Sequence, residues 1–283
     1  MHPRNRYQRP HDFPALAKVV PELNEHFTQT PDGRLTLDFT HPTAVRLLNK
    51  ALLIRDYDLK HWDLPPGSLC PGVPGRLDYI HLLADLIGET QNEIIGLDVG
   101  TGTSLIYPIL GVKEYGWRFV ATDVDATALK VAGAIAKFNP GLSKSIILRR
   151  QPDRSAIFPN VVLAEERFTF TMCNPPFYAD ADTAADAARK KWEKLGKETG
   201  DNLSFGGRAN ELWTEGGEPA FLRRMIRESG EFRERVGWFT TLVSRKGYLV
   251  LAHQELQRAG AREVRELPLG QGGKIRRVLA WRW

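Results

Sequence analysis

Apolar positions along the first third of the chain recur at helical spacing. Phe13, Leu16, Val19 and Val20 form one stripe, and Val45, Leu47, Leu48, Leu52 and Leu53 form another within residues 41–57. Between them, PDG at 31–33 marks a turn, and the alternation of Leu35, Leu37 and Phe39 predicts a short strand. Residues 63–75 hold four prolines and three glycines and read as an irregular connector, after which residues 76–87 are helical again. The first eleven residues have no apolar period but carry Arg4, Arg6, Arg9, His2, His11 and Tyr7, so they read as a basic arm. The rhythm changes at Glu93. Short apolar runs at 94–99, 118–122, 145–148, 168–173 and 238–243 predict strands, and residues 125–139, 218–229 and 248–259 predict helices between and after them. Two closing strands, 263–267 and 276–281, are placed to pair as a hairpin. Alternation of this kind implies an α/β sheet covered on both faces. The expected organisation is an arm and helical module over 1–89, then an α/β domain over 90–283 with a long insertion at 179–215.

Composition narrows the classes. With 283 residues, 42% of them hydrophobic and 26% charged, the chain has an ordinary globular balance and can bury a full core. A net charge of +5 favours polyanions mildly. Two cysteines, Cys70 and Cys173, provide neither a disulfide scaffold nor a cysteine-rich zinc site. The start, MHPRNRYQRP, lacks the apolar core of a signal peptide, and no run approaches membrane-spanning length. A soluble, cytoplasmic and monomeric protein is expected. His41, His61, His81 and His253 have no metal-binding spacing, so metal catalysis is not expected.

The candidate chemistry lies at three predicted strand ends. DVGTGTS, residues 98–104, lets the backbone turn tightly at Gly100 and Gly102 and approach a ligand before a helix N-terminus. It is neither a full G-x-G-x-x-G fingerprint nor a P-loop. Asp123 ends the next strand, where a carboxylate can accept hydrogen bonds from both ribose hydroxyls of a nucleoside cofactor. A helix cap is the plainer reading, for which Asp123 and Asp125 serve equally. NPPF, residues 174–177, closes the fourth strand. An amide oxygen at Asn174 and the Pro175 carbonyl can accept N–H bonds from a weakly nucleophilic exocyclic amine. Pro175 and Pro176 stiffen the corner, and Phe177 can stack on a planar base.

DVGTG, TDVD and NPPFYAD together resemble the class I, S-adenosylmethionine (SAM)-dependent N6-adenine methyltransferases. HPRNRY at 2–7, PGVPGRLDYIH at 71–81 and TEGGE at 214–218 are similar to the RlmF family of large-subunit rRNA adenine-N6 methyltransferases and its eukaryotic relatives acting on snRNA and mRNA hairpins. The resemblance implies a Rossmann-like, mostly parallel seven-stranded sheet. It implies that Asp98, Gly100, Gly102, Thr103 and Asp123 belong to the cofactor site, with Arg76 on the methionine carboxylate. Asn174, Pro175, Pro176 and Phe177 carry over as the catalytic corner. It further implies RNA contacts from Arg4, Arg6, Arg276 and Arg277, and 23S rRNA or a large-subunit assembly intermediate as partner; Arg9 in the basic arm, and Lys190 and Lys191 in the basic insertion that follows NPPF, read from their charge as further RNA contacts. The stretch LRRQPDRSA offers Asp153 and Ser155 to the cofactor adenine, but its spacing departs from the relatives, and that wall stays open. Rival readings are protein glutamine or DNA adenine methylation, or a non-catalytic RNA-binding factor.

Overall fold

The computed structural model describes residues 1–90, 92–176, 214–270 and 276–283. Helix α1 (Phe13–Val19) starts where Asp12 accepts a hydrogen bond from the Ala15 amide at 3.0 Å, satisfying one of the helix's open donors. Strands β1 (Phe27–Gln29) and β2 (Leu35–Leu37) pair antiparallel across the PDG turn. Helix α2 (Pro42–Tyr57) follows. Helix α3 (Val73–Ile87) begins three residues before the apolar period becomes visible, because Pro74 falls in its first turn, where no backbone donor is needed.

The first residues are not a free arm. Asn5 and Tyr7 are buried, and the Asn5 amide donates to Pro74 O at 2.8 Å and to Asp78 Oδ1 at 2.6 Å. Arg4 pairs with Asp85, donates to His81 O at 3.1 Å and lies over Tyr115; Arg6 pairs with Glu114 at 2.7 Å and stacks 4.6 Å from the Tyr57 ring centre. Single polar side chains with specific partners, rather than a periodic apolar stripe, fix this segment, so periodicity could not register it. Asn5→Ala leaves buried polar partners unmatched and is expected to cost about 1–3 kcal/mol of stability, read as a lower melting temperature at unchanged secondary structure.

After residue 93 the chain builds a seven-stranded sheet of order β5-β4-β3-β6-β7-β9-β8. Its members are β3 (Ile95–Val99), β4 (Arg118–Asp123), β5 (Ile146–Arg150), β6 (Phe168–Cys173), β7 (Val236–Val243), β8 (Glu263–Leu269) and β9 (Arg276–Arg282). The first five run parallel, and β9 enters antiparallel between β7 and β8, the predicted hairpin. Helices α4 (Ile106–Tyr115), α5 (Ala126–Phe138), α6 (Pro140–Ser143), α7 (Gly217–Ser229) and α8 (Lys246–Ala259), with two short 3-10 helices at Pro21–His26 and Gly230–Phe232, complete the described elements.

Successive strand residues point to opposite faces, and the core divides accordingly. Phe119, Phe170, Trp238, Leu242, Val278 and Ala280 join one cluster with the buried residues of α1 to α4. Val120, Phe239, Leu279 and Trp281 join the other, with Leu222, Met225 and Ile226 of α7 and Leu249, Ala252 and Leu256 of α8. The N-terminal module therefore shares its core with one face of the sheet, and the change of rhythm near residue 90 marks new elements without a break in the core. Gly96 makes room on that face: a Cβ there would stand 2.6 Å from Phe170 and 2.7 Å from Phe119.

Candidate active site

Strand order reverses at β3, which lies between β4 and β6, and open α/β sheets bind ligands at such a point. Val99 is in register with Thr122 and with Cys173. Gly100, Asp123 and Asn174 are therefore the next residues of three adjacent strands, on one edge. A cavity of about 400 Å³ opens there, and all three line it.

The loop after β3 and the end of β4 hold each other. Gly100 and Gly102 adopt φ of 76° and 63°, the left-handed region that glycine enters without a Cβ clash. This lets the Gly100 and Thr101 amides both donate to Thr122 O, at 2.9 and 2.8 Å. Asp123 accepts from the Gly102 amide at 2.8 Å and from the Asp125 amide at 2.9 Å. The capping role falls to Asp125, which takes the Thr127 amide at 2.7 Å at the start of α5, while Asp123 faces the cavity. A Cβ on Gly100 would meet no protein atom within 4 Å, so the cradle is open on its ligand side.

Arg76, half-buried on α3, lines the cavity, and its Nη1 donates to the Tyr107 hydroxyl at 2.6 Å. Among the described residues no carboxylate lies within ion-pair distance of it. It forms no helix-surface salt bridge with the described residues, and its guanidinium can grip a carboxylate in the cavity. The loop between β3 and α4 is braced from outside by fully buried Trp62, whose indole N–H donates to Ser104 O at 3.0 Å.

Asp98 is 1% exposed, and neither carboxyl oxygen, nor the Thr101 hydroxyl beside it, makes a well-formed hydrogen bond. Burial pushes its pKa up to about 7; the Thr101 hydroxyl and the Arg76 charge pull it down, and the Asp123 charge pushes it further up. An uncompensated carboxylate next to the cavity is the electrostatic complement of a cationic ligand group. The site thus offers an anion grip at Arg76, a ribose acceptor at Asp123 and an acidic background at Asp98, which fits SAM.

Two of the expected cofactor residues stand behind the cavity wall. Thr103 does not line the cavity: the positive φ at Gly102 turns the chain so that Thr103 is buried and Ser104 returns to the wall. Asp98, 1% exposed, does not line it either. In the NPPF corner Asn174 and Pro176 line the cavity, and Pro175 is buried behind them. Phe177, Lys190 and Lys191 lie outside the described residues, as does all of the 179–215 insertion except Thr214 and Glu215, which line the cavity. Arg9 is exposed, Arg277 sits 3.9 Å from Glu266, and the Arg276 side chain lies outside the described residues.

The open wall is formed by Gln151, Arg154, Ser155, Ala156 and Ile157. Asp153 turns away and takes the Ser155 amide at 2.8 Å and its hydroxyl at 2.6 Å. Gln151 is not among the expected residues. Its signal lies in the strand-end rule, since it follows β5 as Asn174 follows β6, and its backbone amide donates to Asp123 O at 2.9 Å. Tyr107, Leu69, Pro71, Phe221 and Arg224 also line the cavity and carry no sequence signal of their own.

The Methyltransf_10 family, described as RNA methyltransferase, matches residues 1–283. The chain belongs to this family. The chain is 49% identical over 285 residues to the Ribosomal RNA large subunit methyltransferase F of Salmonella newport (strain SL254), an alignment covering 99% of this chain and 92% of the relative. Its fold matches the human hMettl16 catalytic domain in complex with MAT2A 3'UTR hairpin 1, with TM-score 0.86 and 36% identity, covering 100% of this chain and 95% of that one. It also matches the N-terminal domain of human METTL16 in complex with SAH, with TM-score 0.80 and 32% identity, covering 100% and 98%. The protein is a class I SAM-dependent methyltransferase with a mixed sheet and an N-terminal helical module.

Asp123→Ala and Arg76→Ala are each expected to weaken SAM binding tenfold to hundredfold, the scale of about 1.5–3 kcal/mol for a hydrogen bond to a charged group. Calorimetry with S-adenosylhomocysteine checks this. Unchanged affinity in the folded Arg76 variant would remove it from the carboxylate end.

Proposed function

We propose that this protein transfers a methyl group from SAM to N6 of one adenosine in structured large-subunit rRNA, 23S rRNA in bacteria. The observation that carries the reading is the register of three strand ends, which sets Asn174 beside the cofactor elements Gly100 and Asp123 in one cavity. Bound SAM supplies an electrophilic methyl group on a sulfonium. The adenine N6 lone pair is delocalised into the ring, so the protein's task is orientation rather than strong-base chemistry. The Asn174 amide oxygen and the Pro175 carbonyl accept the two N6–H bonds and favour the geometry in which the lone pair leaves the ring plane. Pro175 and Pro176 fix that corner by removing backbone freedom. Loss of the N6 proton follows methyl transfer and needs only solvent or a neutral acceptor.

A nucleobase enters such a cavity only from a single-stranded or extruded position. Arg154 and Arg224 stand on the cavity wall, and among the described residues neither has an ion-pair partner, so cationic side chains line the approach of an anionic backbone. The large-subunit methyltransferase relative supports rRNA, and the hairpin-bound hMettl16 supports structured RNA. Labelled SAM should be offered to matched rRNA, DNA and protein substrates, with products read by mass spectrometry. N6-methyladenosine in large-subunit rRNA is expected. Methyl-glutamine, methylated DNA or no transfer at all would overturn the reading.

A further inference from the structure

The cavity wall of residues 151–157 has no regular structure, yet the amides of Asp153, Ser155, Ala156 and Ile157 are all committed. Gln151 Oε1 accepts the Asp153 amide at 3.0 Å, and Asp153 takes the Ser155 amide with its side chain at 2.8 Å and the Ala156 amide with its carbonyl at 3.2 Å. The next two amides, Ile157 and Phe158, both donate to one oxygen of Glu228, at 2.8 and 3.0 Å. Gln151 closes the circuit by donating Nε2 to Ile157 O at 3.2 Å and to Pro159 O at 2.7 Å. Glu228 is 8% exposed near the end of α7, about seventy residues away in sequence, and touches neither the cavity nor a basic side chain within ion-pair distance among the described residues. A buried carboxylate has a large desolvation cost, and these two amides offset part of it, with burial still holding the Glu228 carboxyl above its ordinary value.

We propose that Glu228 is a positioning residue for the cofactor: it acts through Ile157 and Phe158 to hold the wall against which the nucleoside end of SAM lies. With Gln151 it turns a loop into a preformed surface, so the cofactor does not have to order that segment when it binds. The inference rests on the SAM reading above, and the wild-type titration tests that reading separately. Both amides converge on a single Glu228 oxygen, so a glutamine can offer the same acceptor and alanine cannot.

The test uses the full chain. S-adenosylhomocysteine affinity by calorimetry and RNA affinity by filter binding are measured for wild type, Glu228→Gln and Glu228→Ala, below the melting transition of each. Glu228→Ala is expected to lose tenfold or more in cofactor affinity while RNA affinity stays within twofold, and Glu228→Gln should recover to within threefold of wild type. If Glu228→Ala does not fold, Gln151→Ala cuts the same circuit from the other side and should give the same selective loss. Wild-type cofactor affinity in folded Glu228→Ala or Gln151→Ala overturns the proposal, as does a parallel fall in both affinities. Failure of wild type itself to bind S-adenosylhomocysteine would instead overturn the SAM reading.

Discussion

Asn174→Ala is expected to bind SAM as the wild type does and to transfer the methyl group about a hundredfold more slowly, on the scale of roughly 3–4 kcal/mol for one preorganised polar contact in a transition state. The separation follows from the placement. Asn174 stands one residue beyond Cys173 at the end of β6 and lines the cavity, while Arg76, Asp123 and Gly100, the residues proposed to hold the cofactor, come from α3, β4 and the turn after β3. Within the described residues its amide makes no hydrogen bond, so alanine removes an acceptor for the substrate and breaks nothing in the fold. Single-turnover rates at saturating SAM and varied RNA, beside cofactor calorimetry, decide the matter. Wild-type turnover by the folded variant would remove Asn174 from the chemistry, whatever the protein proved to bind.

What is legible in the sequence is what local pattern encodes. Apolar runs that lead into Gly100, Asp123 and Asn174 announce the parallel strands and the edge where they meet. The three residues of β1 contain no alternation to detect, and they form a strand only because β2 pairs with them. The basic arm shows what pattern leaves out. Its lack of an apolar period reads as an arm, but the partners of Arg4 and Arg6, Asp85 and Glu114, lie far along the chain, and only the fold brings them together. The same distance hides Glu228, whose partners at 157 and 158 are joined to it across the sheet face. Asp123 and Asp125 are indistinguishable as caps in one dimension, and the fold separates them by putting the Gly102 amide on one and the Thr127 amide on the other. Side chains whose role depends on a remote backbone group have no one-dimensional signature, and much of the cofactor wall is of that kind.

Above pH 7, Asp98→Asn should melt higher than the wild type and yet hold the cofactor more weakly. Burial places the Asp98 carboxyl at about 7 in the folded protein, against an ordinary value near 4. Between those values the folded chain keeps a proton that the unfolded chain has lost, so stability is fullest below the ordinary value and falls as pH rises through about 7. Ionising a carboxyl held that far above its ordinary value costs about 4 kcal/mol to order of magnitude, a burden that wild type carries at pH 8 and the neutral asparagine does not. Asparagine has nearly the same shape, and the unpartnered Thr101 hydroxyl can accept one of its N–H groups. The two proteins should therefore melt together near pH 4, draw apart as pH rises from about 4 to about 7, and stay apart above that, with the variant higher by roughly 5–10 °C. Binding should run the other way. A cationic amine in the cavity favours the ionised carboxylate, so wild-type affinity for S-adenosylhomocysteine should rise as pH climbs toward 8, and the variant should lose that rise and bind about tenfold more weakly there. Melting curves from pH 4 to 8.5, with calorimetry at the same points, read both effects. Curves that stay parallel across that range would show that Asp98 carries no such burden, and equal affinities at pH 8 would detach its charge from the cofactor.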